Sequence, residues 1–594
     1  MTTPGTLLLH DNLAPEGQNL LFSAPREVLV AHSAAEARAA LARIAEAGRN
    51  GLWAAGYFAY ELGFVFEERL EALLPERSKT PLLWFGLYPA PQRLGVDQVQ
   101  QILAEAPDGQ AIAVSPIPSF ADYEKPFEQV KALIAAGDSY QVNLTFKAQF
   151  ELEGDPLGLY RRLAQSQHTA YGAYLNAGDH HVLSRSPELF VSSVKNVLGA
   201  RPMKGTLRRG RTVSEDDAGR AALAADEKNR AENLMIVDLL RNDLARIAEI
   251  GSVEVTDLFS VETYRSLHTM TSGIRARRRP GVDFVEVLEN LFPCGSITGA
   301  PKLRAMEIIH ALEASPRGLY TGSIGYLAPN GDFAFNVAIR TAVIDSQGRG
   351  EIGIGGGIVA DSEARDEYEE ALLKLNFLSD PAPPVTLIET FKWTPDDGYV
   401  LLERHLDRLI ASGAYFNLTV TREKVLAYLA ERALDWTEPM RVRLTLSEDG
   451  LDLGAVPLPP TPEKFRFAIA DEVLQSDNIW LAHKTTNRAF YDVPRQRAHE
   501  THGMDELVFT NERGELTEGS FTNLFIEREG RLFTPPLDSG VLPGTLRAEL
   551  IAANRAEERV LGVADLHIAD AIWLGNSVRG LIRAEWVELE TPDA

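Results

Sequence analysis

The chain has 594 residues, of which 45% are hydrophobic and 24% charged, and its 84 acidic against 59 basic side chains give a formal charge of -25. That is the composition of a globular protein of about three to four domain-sized units; the acidity excludes nucleic acid, whose phosphates need clustered cations. A single cysteine, Cys294, excludes an internal disulfide framework and a thiolate metal site.

The opening MTTPGTLLLH has no basic n-region and no long apolar core, and no run of about 18 apolar residues follows, so a cytoplasmic chain with no membrane partner is expected. A helix is predicted over Ser33–Ala47, capped by Ser33 and stopped by Gly48, and strands over WAAGYFAY (53–60) and GSIGYLA (322–328). Four blocks are dense in Gly, Lys and carboxylates: SRSPELF (184–190), RPMKGT (201–206), RAENLMIVDLLRNDLARI (230–247) and PCGSITGAPKLRAMEII (293–309). A fifth, IGGGIVADSEARDEYEEALLK (354–374), carries Glu367, Glu370 and Lys374 at i, i+3 and i+7, one face of a helix. By spacing alone that face is equally a solvated acidic surface with a Glu370–Lys374 pair. Gly353, Gly355, Gly356 and Gly357 remove side chains so that backbone can approach an anion. They are no dinucleotide loop, because GxGxxG would need a glycine at Ile358, and GSITGAPK lacks the GK[ST] ending of a phosphate loop.

The Pro-rich DPAPPV (380–385) separates a helical run from the strand-like TLIETFKW. This sets domains at 1–380 and 386–594 with a linker at 381–385. Beyond it, RVRLTLS, FRFAIA, ELVFT and NLFIE alternate with helices such as the one from Val541, so both halves are α/β.

The five blocks, in this order, resemble the chorismate-utilising enzymes: anthranilate synthase, isochorismate and salicylate synthases, and aminodeoxychorismate synthase component I. The resemblance implies an α+β fold built on a large β-sandwich with surrounding helices. It implies Mg²⁺ held by Glu232 and Glu370 with Glu367 close by, gripping the ring carboxylate of chorismate, as suits a hard cation. It assigns Thr298 and nearby amides, Gly355 to Gly357 and Lys374 to the substrate, with Arg340 and Tyr326 on the enolpyruvyl carboxylate; a guanidinium fork suits that task. Glu188 matches the general acid for the departing hydroxyl and His268 the histidine beside it. Lys204 is the discriminating residue: anthranilate synthases carry a small residue there, and a neutral amine near C2 can attack the ring as the C4 hydroxyl leaves, after which ammonia displaces it at C4. Isochorismate and salicylate synthases carry a water-activating lysine where this chain has Gln141. No glutamine amidotransferase motif is present, so ammonia is expected from a separate glutaminase subunit.

The second half reads ERHLDRL, HKTTNRAFYD, DELVFTNERGELTEGSFTNLFI, SGVLPGTLR and WLGNSVRG. These resemble fold-type IV pyridoxal-phosphate enzymes, the aminotransferases and aminodeoxychorismate lyase. The resemblance implies Lys484 as the Schiff-base lysine, Glu518 as the acid at the pyridine nitrogen, and a phosphate cradle of Arg408, Ser520, Phe521, Thr522, Thr545 and Leu546. It also makes oligomerisation through this domain an expectation. Lyase and aminotransferase motifs overlap; fusion to a chorismate-aminating half favours pyruvate elimination. The expected product of the pair is 4-aminobenzoate, the alternative being anthranilate synthesis fused to amino-acid transamination.

Overall fold

Helix Ala34–Arg49 forms where the 3.6-residue period buries Ala37, Ala40, Leu41, Ile44 and Ala47 on one face, and the Ser33 hydroxyl caps it by accepting from the Glu36 amide at 3.3 Å. It runs past Gly48, because the left-handed residue that ends it is Gly51, at φ 79°. The computed structural model describes residues 1–588 apart from 2, 15, 16, 18, 265, 266, 382 and 419; position 382 of the expected linker is thus outside the described residues. Contacts divide the chain into two units, residues 1–208 with 220–382 and residues 209–219 with 383–594.

The first unit contains two ten-stranded antiparallel sheets, each a row of nine strands with a tenth branching from it: Gly109–Pro116 beside Gln141–Gly154 in one and Glu254–Thr263 beside Leu267–Arg277 in the other. One is ordered Gly299–Ala300, Gln141–Gly154, Arg349–Ile358, Thr341–Asp345, His180–Ser186, Tyr171–Asn176, Thr6–His10, Asn19–Phe22 and Gln92–Leu94. The other runs from Met203–Arg208 through Leu267–Arg277, Val197–Arg201, Leu189–Val194, Phe333–Asn336, Ser323–Leu327 and Trp53–Phe58 to Leu83–Tyr88 and Glu27–Ala31. Leu7, Leu20 and Phe22 of the first meet Ala55, Tyr57, Trp84 and Ile324 of the second in one buried cluster, which makes the pair a sandwich. Two corners carry the chain between the sheets. One passes through Glu188, between His180–Ser186 and Leu189–Val194, and the other leads to Arg340, between Phe333–Asn336 and Thr341–Asp345. The corners are tied together: the Val337 amide donates to the Glu188 carbonyl at 3.0 Å, the Arg185 amide to the Arg340 carbonyl at 2.9 Å, and the Ser186 hydroxyl to the Val337 carbonyl at 2.6 Å.

In the second unit a four-stranded sheet (Gly398–Tyr399, Leu387–Thr394, Met440–Ser447, Gly450–Pro457) buries Leu387, Phe391, Val442, Leu444 and Leu446 against helices Leu402–Tyr415 and Arg422–Arg432. An eight-stranded mixed sheet follows, in which Lys464–Leu474 pairs in parallel with both Glu506–Asn511 and Gly580–Trp586. Residues 209–219 belong here although the sequence reading put them in the first domain: the Arg209 guanidinium stacks 4.0 Å from the Tyr415 ring, and the Tyr415 hydroxyl donates to the Gly210 carbonyl at 2.8 Å. Among the described residues no helix is long and apolar enough to cross a membrane.

Candidate functional site

In the first unit the glycine strand is the floor of the site. Arg349–Ile358 lies beside Gln141–Gly154 in a register that pairs Gly355 with Thr145, Gly356 with Leu144 and Gly357 with Asn143. A Cβ on Gly357 would lie 2.8 Å from Gln141 Nε2 and 3.1 Å from Lys204 Nζ, and one on Gly356 2.9 Å from Glu367 Oε2, so bare backbone is what admits these groups. Gln141 is fully buried and neither atom of its amide has a hydrogen-bond partner among the described residues. Lys204, on strand Met203–Arg208, pairs with Glu232 of helix Glu227–Ala245 at 3.3 Å. Lys374 pairs with Glu370 at 2.8 Å and donates to the Gly355 carbonyl at 3.0 Å, while the Ser362 hydroxyl donates to Glu367 at 2.7 Å. Burial and the nearby Glu370 raise Glu367. Burial also works against ionised Glu370, but Lys374 turns its net shift downward.

Glu188 is 3% exposed, and burial pushes its carboxyl up to about 7 although the Ser296 hydroxyl donates to Oε1 at 2.7 Å. A carboxyl kept protonated near neutrality can donate a proton to a leaving oxygen. His268 is buried on strand Leu267–Arg277 with its Nδ1 3.0 Å from the Thr263 hydroxyl. Thr298 is buried after the turn Gly295–Ile297, its hydroxyl donating to the Cys294 carbonyl at 2.8 Å. Arg340 is half-buried, and desolvation lowers its guanidinium to about 10.

Tyr326 is a correction. Strand alternation turns it toward Trp53 and Phe22, at ring separations of 5.6 and 6.5 Å, and the tyrosine electrostatically coupled to Arg340 is Tyr264. Tyr264 lies in a stretch of sequence with no strong pattern, and sequence reasoning missed it. It missed Ser296 as well, although that residue lies inside a motif singled out for its neighbours.

In the second unit a cavity of about 580 Å³ is lined by Lys484, Glu518, Arg408, Thr545, Leu546 and residues 576–579. Lys484 follows the short helix Ile479–Ala482 and is pinned through its carbonyl, which accepts from the Ile388 amide at 2.8 Å. Burial, with Arg408 and Arg488 nearby, lowers its amine to about 8. Glu518, buried on strand Leu516–Gly519, accepts from the Tyr491 hydroxyl at 2.9 Å, the Asn523 amide at 2.8 Å and the Leu542 backbone amide at 2.9 Å; burial still pushes it up to about 7. Helix Thr545–Ala552 points its N-terminus at the cavity, and its first-turn amides have no partner within the helix.

The expected phosphate cradle is only partly as read. The Ser520 amide and hydroxyl, the Phe521 amide and the Thr522 hydroxyl all donate to the buried carboxylate of Glu506, at 3.0, 2.6, 3.2 and 3.1 Å, so these donors are already taken. Arg408 faces the cavity, but its fork is held by Glu389 at 2.8 and 2.6 Å. The backbone amides of Thr545 and Leu546 at the helix N-terminus face the cavity and can meet an anion, whereas the Thr545 hydroxyl meets His405 Nε2 at 3.3 Å and the Asn576 amide and Ser577 hydroxyl donate to the Phe521 and Thr390 carbonyls at 3.3 and 3.4 Å. A half-buried lysine with a depressed amine, a buried acid and a helix N-terminus in one cavity fit pyridoxal phosphate.

A family model described as chorismate binding enzyme matches residues 14–380, more than half of the chain. The chain belongs to the chorismate binding enzyme family. In addition, residues 386–585 of this chorismate binding enzyme match the model for amino-transferase class IV, a domain type that implies pyridoxal phosphate. Over 260 residues it is 44% identical to aminodeoxychorismate synthase component 1 of Salmonella typhimurium, covering 44% of this chain and 57% of the relative. It is 45% identical over 263 residues to a chloroplastic aminodeoxychorismate synthase of Arabidopsis thaliana, covering 44% of this chain and 28% of that one. The chain therefore spans less than two thirds of the length of these curated relatives. Anthranilate synthase component I from Streptococcus pneumoniae has a similar structure, with a TM-score of 0.50 and 27% identity over 63% of this chain and 90% of that one.

Proposed function

We propose that the first unit aminates chorismate at C4 and that the second unit eliminates pyruvate from the product to give 4-aminobenzoate. The observation that carries this reading is Lys204: its amine lies against the side-chain-free Gly357, in the same unit as the buried acid Glu188. In its neutral form the amine attacks C2 of the ring, the double bond shifts, and the C4–O bond breaks as Glu188 gives its proton to the departing hydroxyl. Ammonia then forms the C4–N bond, the double bond shifts back, and the electron pair of the C2–N bond returns to Lys204. Arg340 offers a half-buried cation to a carboxylate, in a chain whose overall charge repels anions. Mg²⁺ would be held by Glu232 and Glu370 with Glu367 close by, an all-oxygen set that suits a cation needing only one or two carboxylates beside its waters and substrate. Among the described residues no three such groups are gathered around one point. A separate glutamine amidotransferase is the proposed source of ammonia, and the cytoplasm the proposed location.

In the second unit, bound pyridoxal phosphate supplies the electron sink. Lys484 would bind the cofactor and move the C4 proton, Glu518 would hold a proton at the pyridine nitrogen, and the N-terminus of helix Thr545–Ala552 would hold the phosphate. Arg441, Arg443 and Arg579 line the same cavity and suit an anionic substrate. Loss of pyruvate leaves an aromatic ring, which makes elimination, with no amino acceptor, the favoured outcome. The test is incubation of the protein with chorismate, Mg²⁺, ammonium and pyridoxal phosphate, with chromatographic separation of the products. 4-Aminobenzoate is expected. Accumulated aminodeoxychorismate would sink the lyase half of the reading, and anthranilate would sink the role of Lys204.

A further inference from the structure

An acid that must deliver its proton to one departing oxygen needs that proton on one defined carboxyl oxygen, and the surroundings of Glu188 are built asymmetrically. Oε1 accepts from the Ser296 hydroxyl at 2.7 Å, and the Ser296 oxygen in turn lies 3.1 Å from the Cys294 sulfur. Ser296 has one hydroxyl proton, so the direction of this chain depends on which neighbour supplies the other. Burial, reinforced by the Glu188 charge, pushes the Cys294 thiol up to about 12, so at any working pH it carries its proton and is the donor. The sequence of donors is then Cys294 to Ser296 to Glu188 Oε1. The backbone holds it in place: Cys294 precedes the turn Gly295–Ile297, and its carbonyl accepts from Thr298. The other groups that face the carboxyl are the Lys204 ammonium and the Met203 amide, both from strand Met203–Arg208, while Lys302 acts on the thiol from helix Lys302–Leu312.

We infer that Ser296 is a positioning residue for the amination step: by donating to Oε1 it confines the transferable proton of Glu188 to Oε2 and fixes the face of the carboxyl offered to the C4 hydroxyl. Loss of this donor removes a hydrogen bond that favours the ionised carboxylate, so the Glu188 proton is then held to higher pH and on either oxygen. The role of Glu188 as acid is that of the proposed function, and the test separates the two.

The experiment uses the full chain as wild type, Ser296→Ala and Ser296→Thr. Infrared difference titration follows the protonated-carboxyl band of Glu188, identified by its absence in Glu188→Gln, and steady-state amination of chorismate is measured across the same pH range. In Ser296→Ala the infrared midpoint is expected to rise by about one to two pH units, the equivalent of one hydrogen bond to a charged group. The alkaline fall of kcat should move up with it, kcat at neutral pH should drop about tenfold, and KM for chorismate should stay within about twofold, as a defect confined to the transition state requires. Ser296→Thr, which keeps a hydroxyl, should restore both midpoints. An unmoved infrared midpoint in Ser296→Ala, or a threonine variant that behaves like alanine, overturns the inference. A midpoint that moves while the kcat profile does not would leave the Ser296 bond intact and remove Glu188 from the chemistry, which fails the underlying reading instead.

Discussion

Adding a single methyl group at Gly357 tests whether the first site depends on Lys204 lying against bare backbone. In Gly357→Ala the new Cβ would fall 2.8 Å from Gln141 Nε2 and 3.1 Å from Lys204 Nζ. Ordinary contact at about 3.5 Å requires the two groups to retreat by roughly 0.4 to 0.7 Å. Both are the ends of flexible side chains, and the Gln141 amide gives up no hydrogen bond by moving, so the overpacking cost falls at or below the low end of about 1–3 kcal/mol. Catalysis is far less tolerant, since displacement of a reacting group by about 1 Å costs on the order of 100-fold. The expected variant melts within a few degrees of wild type, aminates chorismate about 10- to 100-fold more slowly, and still converts supplied aminodeoxychorismate to 4-aminobenzoate at the normal rate. The second unit of the same chain is thus the internal control, and 4-aminobenzoate fluorescence reads both activities. Wild-type amination by this variant, or an equal loss in both units, would refute the reasoning.

Lys484→Ala should abolish the visible absorbance of bound pyridoxal phosphate and cause aminodeoxychorismate to accumulate from chorismate; retained 4-aminobenzoate formation would contradict the assignment. Condensation with the cofactor aldehyde needs a neutral amine, and Lys484 is lowered to about 8. Cofactor capture by apoprotein, followed by absorbance, should therefore quicken as pH rises from 7 through about 8 and then level off. A rise continuing to the ordinary lysine value near 10.5 would show that the amine is not desolvated. Burial alone would raise Glu389, but Arg408 and His405 outweigh it and hold the carboxyl down to about 2. A depressed carboxylate contributes stability that is present above its unfolded value of 4.5 and lost as pH falls from there toward 2, here about 3 kcal/mol. Glu389→Gln strands both partners in the interior and should cost about 3–5 kcal/mol in denaturant unfolding of the second unit; a cost below about 1 kcal/mol would show that the pair is dispensable.

Motif order along the chain is a local property, and where chemistry resides in contiguous motifs the sequence can be read directly. RPMKGT singles out Lys204 and HKTTN singles out Lys484 as candidates, and along the Gly355–Gly357 run the structure places Gln141, Lys204 and Glu367 where a side chain on the strand would meet them. The period-3.6 face of Glu367, Glu370 and Lys374 was legible in the same way, and the structure adds that Lys374 turns back to the Gly355 carbonyl. What could not be read was which of several eligible donors meets which acceptor. Ser520, Phe521 and Thr522 have the chemistry of a phosphate cradle, yet Glu506, on the neighbouring strand Glu506–Asn511, claims them. Tyr326 has the chemistry of a carboxylate ligand, yet strand alternation turns it to Trp53 and Phe22.

The sequence alone therefore determined the two families and the mixed α/β character, and singled out two candidate lysines, because these depend on residue identity and on spacing within a few turns or strand steps. Only the tertiary structure decided the partners of those residues. The pairing of the two sheet-to-sheet corners brings Glu188 near Arg340, residues about 150 positions apart, through backbone hydrogen bonds that no local pattern encodes. Residues 209–219 were likewise assigned to the second unit by packing on Tyr415 and not by their place in the chain. The physical reason is the same in each case: a buried polar group must find a partner, and which partner is near enough is a property of the folded arrangement and not of sequence order.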